Sequence, residues 1–165
     1  MNPLFQHSYV LNMQYIFLLG LSAACLVLFL LKRKKSSYLI SALPLLALTF
    51  HQVDEYLLSP LLLGDDYHFL NWAYRSGVDI TPNAVVAVNL FGYLGALLVF
   101  FFKPSTKLFA LIFLFVNSVT LANACFHVGL ATAQSDYSPG MISALLLFLP
   151  PVSYTHLRAH ETVAN

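Results

Sequence analysis

MQYIFLLGLSAACLVLFLL, residues 13–31, carries no charged side chain and stops at Lys32-Arg33-Lys34-Lys35. A helix needs about 20 apolar residues to cross a hydrocarbon core roughly 30 Å thick, so this stretch reads as a transmembrane helix. It is too long for a cleaved signal peptide, and its basic cluster follows the apolar run instead of preceding it. Further along the chain, charges punctuate the sequence into four more apolar stretches. The second is uncharged from about Ser36 to Val53 and continues through Asp54 and Glu55 into Tyr56-Leu-Leu-Ser-Pro60, with a kink expected at Pro44. The third follows Thr81-Pro82-Asn83, where Thr81 suits a cap and Pro82 a first helical position, and runs to Phe102 before Lys103-Pro104 ends it. The fourth spans Leu108 to about Thr132, and the fifth opens after Ser138-Pro139-Gly140 and reaches Pro150. The expected fold is all-α: a polytopic transmembrane bundle of about five helices, the last truncated, with residues 1–151 as a single domain.

Composition points the same way. With 59% hydrophobic and 9% charged residues and a mean hydropathy of +0.74, the chain has too few charges to wrap a soluble domain, and a lipid bilayer supplies the missing solvent. A net charge of +1 and the lack of a basic face beyond one short run exclude nucleic acid as a partner. Cys25 and Cys125 both lie in apolar stretches, where a thiol behaves as a small hydrophobe, so neither a disulfide framework nor a CxxC metal knot is expected.

Cations set the topology. Lys32, Arg33, Lys34, Lys35, Lys103 and Lys107 fall in the loops after the first and third helices, which alternation places on one side. Basic residues near helix ends stay cytoplasmic, so the N-terminus is expected outside and the Lys/Arg loops inside. Arg75 stands on the outer side with Asp65, Asp66, Asp79 and Asp136. The basic run is read as topogenic, since four cations are the minimum for a lipid-headgroup cluster. Residues 64–79 carry Tyr67, Phe69, Trp72 and Tyr74 and read as an interfacial lid or short surface helix, or as a plain aromatic anchoring belt.

The chemistry gathers in the second and fourth stretches. In His51-Gln-Val-Asp54-Glu55-Tyr56, helical spacing puts the imidazole and both carboxylates close together. In Asn123-Ala-Cys-Phe-His127, Asn123 and His127 share a face, and Asn89 lies about two turns from the outer end of the third helix. Alternating helix directions place all these groups in the outer half of the bilayer, at overlapping depth. A carboxylate there costs roughly 2.5–3.5 kcal/mol, so it must find a partner or water. A divalent metal such as zinc would satisfy the cluster most completely. His51, Glu55 and His127 as ligands have the two-His, one-carboxylate composition of catalytic zinc sites, and Asp54 is a candidate general base, although the roles of Asp54 and Glu55 can be exchanged. In this reading Asp54 and Glu55 are catalytic, with Asn89 and Asn123 as supporting polar groups. The bland alternative has Asp54 and Glu55 marking the wet end of the helix and the histidines hydrogen-bonded to neighbouring helices. Asn117 and Thr120 are assigned to helix packing.

Three functions fit this pattern: a metal-dependent membrane hydrolase acting on a lipidic or other small-molecule substrate, a non-enzymatic proton relay or small-ligand binder, and a structural membrane subunit. The C-terminal stretch Val152-Ser-Tyr-Thr-His-Leu-Arg-Ala-His-Glu-Thr162 resembles one reading frame of a transposon adapter used in sequencing libraries. Residues 152–165 are therefore expected to be a non-native tail, and His156, His160 and Glu161 are set aside as ligands.

The same residues resemble the HXXEE domain proteins, small membrane proteins named for a His-x-x-Glu-Glu motif. His51-Gln-Val-Asp-Glu-Tyr56 is similar to the motif itself, Phe69-Leu-Asn-Trp72 to the aromatic segment that follows, and Asn123-Ala-Cys-Phe-His-Val-Gly129 to an Asn-x-x-x-His element. Tyr137-Ser-Pro-Gly140 with Ala144-Leu-Leu-Leu-Phe-Leu-Pro150 resembles the final helix. Asp54 departs from the pattern, standing one methylene short where the family has its first Glu. The resemblance implies a bacterial inner-membrane setting and carries no reaction with it.

Overall fold

The computed structural model describes residues 12–149, and every regular element among them is helical. The elements are α1 (Met13–Arg33), α2 (Leu43–Val53), α3 (Ser59–Leu63), α4 (Phe69–Arg75), α5 (Pro82–Leu98) and α6 (Lys107–Gln134), then α7 over residues 141–149. Among the described residues, three helices are long and apolar enough to cross a membrane: Met13–Arg33, Pro82–Phe101 and Lys107–Gln134, with 21, 20 and 28 residues. The suspected tail, residues 152–165, lies outside the described residues.

Local chemistry explains most boundaries. Thr81 caps α5 by accepting a hydrogen bond from the Ala84 amide at 3.2 Å, with Pro82 at the first position as expected. Thr106 caps α6 in the same way through the Phe109 amide. Chain direction reverses after α1 at Lys35, after α6 at Ser135 and before α7 at Gly140, all with positive φ.

The second apolar stretch differs from expectation. It is helical throughout residues 37–63, but its pitch changes at each proline. A tight 3-10 turn, Ser37–Ala42, leads into α2, where Pro44 occupies the first turn. A π-helical turn, Asp54–Leu58, then separates α2 from α3. Pro60 causes the second change: it has no N–H to donate to the Tyr56 carbonyl, and its ring crowds that oxygen. The wider π turn relieves the clash, with the Ser59 amide donating to the Asp54 carbonyl five residues back.

α2 is the hub and packs against α1, α5 and α6. His51, Gln52, Val53, Asp54, Glu55 and Tyr56 are all buried, whereas Leu19, Phe29, Leu90, Phe101 and Leu111 on the long helices are exposed. Polar groups inside and apolar groups outside reverse the pattern of a water-soluble bundle. Met13, Phe17, Val53, Tyr56, Phe69, Leu70 and Val85 form one core at the α4 end, and Val99, Phe109, Phe113 and Val116 form another at the opposite end. The turn Ser37–Ala42 packs against Val99–Phe101, so both cation-bearing loops lie at one end of the molecule.

The segment read as an interfacial lid or short surface helix, or as an anchoring belt, contains the short helix α4 and is folded inward. Trp72 is fully buried and Leu70 nearly so, while Tyr74 remains exposed, and Phe69 packs on Tyr56 with ring centroids 6.1 Å apart. A polar clasp holds this lid to the α6–α7 loop. Asp136 accepts from the Tyr67 hydroxyl at 2.8 Å and from Arg75 Nη2 at 2.8 Å, and Gln134 donates to the Ser76 carbonyl at 3.1 Å. The Tyr67 hydroxyl, with the Tyr137 amide and Arg75 adding to it, holds the Asp136 carboxyl below its usual value.

Beside the clasp, burial lowers the pKa of His68 from 6.5 to about 4. The folded lid therefore disfavours the charged imidazole, so this contribution to stability is complete above pH 6.5 and is lost as pH falls towards 4. The Asp136 contribution is present above the ordinary carboxylate value and is lost only at lower pH, as the carboxyl titrates through its depressed value. Trp72 is the single tryptophan, so its emission reports the lid. Thermal unfolding followed at Trp72 is expected to shift down between pH 6.5 and 4, and His68→Gln to flatten that shift; an unchanged slope in the variant would show that His68 is not responsible.

Candidate metal centre

Three elements converge on one buried point near the lid. α2 supplies His51 and, one turn on in the π turn, Glu55, while α6 supplies His127. All three are buried, with relative exposures of 1%, 5% and 1%. His127 Nε2 lies 3.1 Å and His51 Nε2 3.4 Å from the same oxygen, Glu55 Oε1. The imidazoles meet edge to face, their centroids 4.9 Å apart. One ligand atom from each residue falls within a common span of 4.8 Å, so the group could hold a metal ion. Donors bonded tetrahedrally to zinc at about 2.1 Å stand about 3.4 Å from one another, close to the two nitrogen–oxygen separations here.

The far sides of the rings are held by two serines that the sequence analysis did not single out. His51 Nδ1 is 3.0 Å from Ser143 Oγ, and His127 Nδ1 is 3.0 Å from Ser138 Oγ. Ser143 Oγ also lies 2.9 Å from the Gly140 carbonyl, which can only accept, so the single hydroxyl proton goes there. His51 Nδ1 must then donate to Ser143, and in the neutral ring Nε2 presents its lone pair to the Glu55 carboxylate. That nitrogen is buried without a hydrogen-bond partner. Two electron-rich atoms 3.4 Å apart in a dry interior repel unless a cation, a metal ion or a second proton, sits between them. The donor set and its orphaned nitrogen fit a metal.

Asp54, the candidate general base, lies outside this group of three. Its Oδ1 accepts from Ser59 Oγ at 3.1 Å and its Oδ2 from the Ser143 amide at 3.3 Å, near the start of α7. A carboxylate at a helix N-terminus offsets the dipole and satisfies an otherwise orphaned N–H, so Asp54 positions α7. Glu55 faces a different space, a cavity of about 440 Å³ between α5 and α6 that His127, Asn89 and Asn123 also line. Asn89 Nδ2 and Asn123 Oδ1 have no hydrogen-bond partner; the ligand support expected of the asparagines comes from Ser138 and Ser143. Asn117 and Thr120 bond their own helix backbone at the Phe113 and Asn117 carbonyls and stay outside the centre.

Gly140 closes the third side. Its φ is +85°, and a Cβ there would stand 2.6 Å from Glu55 Cγ and 2.8 Å from His51 Cε1. Gly140→Ala combines a left-handed backbone penalty with overpacking, together on the order of 2–5 kcal/mol. A clear fall in thermal midpoint is expected, and a variant as stable as the parent would show that this wall yields freely.

The family described as "Protein of unknown function with HXXEE motif" matches residues 42–155, well over half of the chain and including every residue of the centre. No curated protein matches, and no solved structure does. The eponymous motif falls on His51, Asp54 and Glu55, so its histidine and second acid build the buried centre while its first acid anchors α7. On the extent of that match, with the motif at the heart of the structure, the chain belongs to the HXXEE family.

Proposed function

We propose that the chain is an integral membrane protein whose buried His51, Glu55 and His127 bind a divalent metal such as zinc, and that it hydrolyses a lipidic substrate. The observation that carries this reading is His51 Nε2, buried without a hydrogen-bond partner 3.4 Å from Glu55 Oε1 while Nδ1 is held by Ser143. A metal ion held there supplies a Lewis acid for a carbonyl and an acidified water.

The chain's own residues do the rest. Ser138 and Ser143 hold the rings in register, the outer-shell role that sets ligand orientation. Glu55 provides the negative charge and, with Asp54 engaged at α7, is the carboxylate left to accept a proton. Phe69 and the buried Trp72 keep water off the lid side. The cavity beside Glu55 is walled by apolar side chains such as Val88 and Phe126, which are also exposed on the outside of the bundle. An entrance of that kind suits a molecule arriving from the hydrocarbon phase.

The fuller architecture belongs to the same proposal: five membrane-crossing segments, residues 37–63 and the helix that starts at 141 joining the three long ones, the Lys/Arg loops cytoplasmic, and the lid on the outer side of a bacterial inner membrane. A second reading has its own support. The run Ser143, His51, Glu55, His127, Ser138 is a chain of polar contacts between 3.0 and 3.4 Å, which could carry protons without a metal.

Elemental analysis of detergent-purified protein separates the two. One equivalent of zinc, iron or manganese is expected, lost in His51→Ala, retained in Asp54→Asn, and bound 10- to 100-fold more weakly in Ser143→Ala. Metal-free protein that nevertheless passes protons in liposomes, with the flux lost in Glu55→Gln, would replace this reading with the relay.

A further inference from the structure

A second cavity, of about 640 Å³, lies between residues 50–63 and α7, within the roughly 300–1,000 Å³ usual for small-molecule sites. Phe50, Leu58 and Leu62 wall it on one side, Ile142 and Leu146 on the other. Leu62, Ile142 and Leu146 are 77%, 55% and 67% exposed, so the groove opens on the outside of the bundle. Of the residues that line it, Asp54 alone carries a charge, with Ser59, Tyr137 and Ser143 around it. Asp54 keeps 9% exposure, and among the described residues no salt bridge includes it. Every polar hydrogen in this corner is already committed. The Ser59 hydroxyl donates to Asp54 Oδ1 at 3.1 Å and the Ser143 amide to Oδ2 at 3.3 Å. Ser59 has no second proton, so in its 3.4 Å contact with Tyr137 the phenol donates. The Ser143 hydroxyl gives its proton to the Gly140 carbonyl. A molecule entering the groove therefore meets a negative charge and oxygen lone pairs. Two neutral donors do not neutralise a carboxylate, which in apolar surroundings calls for a cation.

We infer that this groove binds a long-chain primary amine as its ammonium ion, the nitrogen at Asp54 and Tyr137 and the alkyl chain along Phe50, Leu58 and Leu146. An alkylammonium offers three donors and no acceptor, the complement of a corner that has only acceptors left. A long-chain alcohol brings a donor but no charge, and a fatty acid brings a second negative charge. A phospholipid that carries an ammonium carries a phosphate as well, and no Lys, Arg or His lines the groove to answer it. The alkyl chain covers the apolar walls and enters through their exposed side, from outside the bundle. The site requires neither the metal nor the hydrolysis proposed for His51, Glu55 and His127.

Matched probes test the inference on the purified full chain in a neutral detergent at about pH 7, where alkylamines are protonated: dodecylamine, dodecanol and dodecanoyl lysophosphatidylethanolamine, with protein-free micelles as the blank. Titration calorimetry is expected to show dodecylamine bound about tenfold more tightly than either of the others. In Asp54→Asn this advantage should shrink to within about twofold. Leu146→Trp, which fills the open side of the groove and leaves every hydrogen bond of the corner in place, should weaken dodecylamine about tenfold. Equal binding of dodecylamine and dodecanol by the parent protein overturns the proposal, and this comparison stands even if a variant fails to fold. Lysophospholipid bound as tightly as dodecylamine overturns it in favour of a phospholipid site. Displacement of dodecylamine by an equal concentration of ethylamine overturns it in favour of a small-cation site. A preference that survives Asp54→Asn, or an affinity untouched by Leu146→Trp, in a variant with a parent-like circular dichroism spectrum also overturns it.

Discussion

A carboxylate removed from water must have its charge answered locally, and around Glu55 that demand falls on two imidazole nitrogens that approach one oxygen and on a metal ion or proton between them. Most of the interior follows from this contact. α2 must sit at the centre of the bundle, because on any outer position Glu55 would stand on an apolar surface without a partner. α6 must approach closely enough to deliver His127, and the backbone opposite must be thin enough to leave room, which Gly140 provides. The contact also explains why hydroxyls stand behind both rings. An imidazole that gives one proton backward offers its other nitrogen forward, and Ser143 can only receive that proton because it has committed its own to Gly140.

Two neighbouring acids would repel if they shared this space. The turn Asp54–Leu58 resolves the conflict by geometry. Successive side chains on a helix point about 100° apart, and the two carboxylates serve separate partners: Glu55 the imidazoles, Asp54 Ser59 and the Ser143 amide. Ser143 joins the two arrangements, since its amide meets Asp54 and its hydroxyl meets His51. The substitution of Asp for the motif's first Glu therefore falls on the anchoring position and not on the candidate ligand.

Much of this was legible in the sequence. The uncharged runs, Thr81-Pro82 and the cluster of His51, Glu55 and His127 follow from helical periodicity, capping chemistry and the cost of burying charge, all of which are local or additive. Spacing alone puts Asp54 beside His51, and only the approach of α7 shows that its carboxylate meets Ser59 and the Ser143 amide. Ser138 and Ser143 escaped notice because a serine near a helix start is common, and only the close approach of α7 to α2 gives these two a target. The lid was recognised as a segment, but its burial was not, because Trp72 and Phe69 are as suited to a membrane surface as to a core and tertiary packing decides between them.

Ser138, Gly140 and Ser143 come late in the chain, while the residues they brace include His51, 92 positions earlier than Ser143. During synthesis the first half emerges before these supports exist. Until they arrive, His51 has a freely turning ring and Glu55 an open flank, so a nascent chain has no finished binding centre. Completion of the centre is thereby tied to completion of the fold, and an ion captured at the end would lock the earliest and latest portions of the polypeptide together.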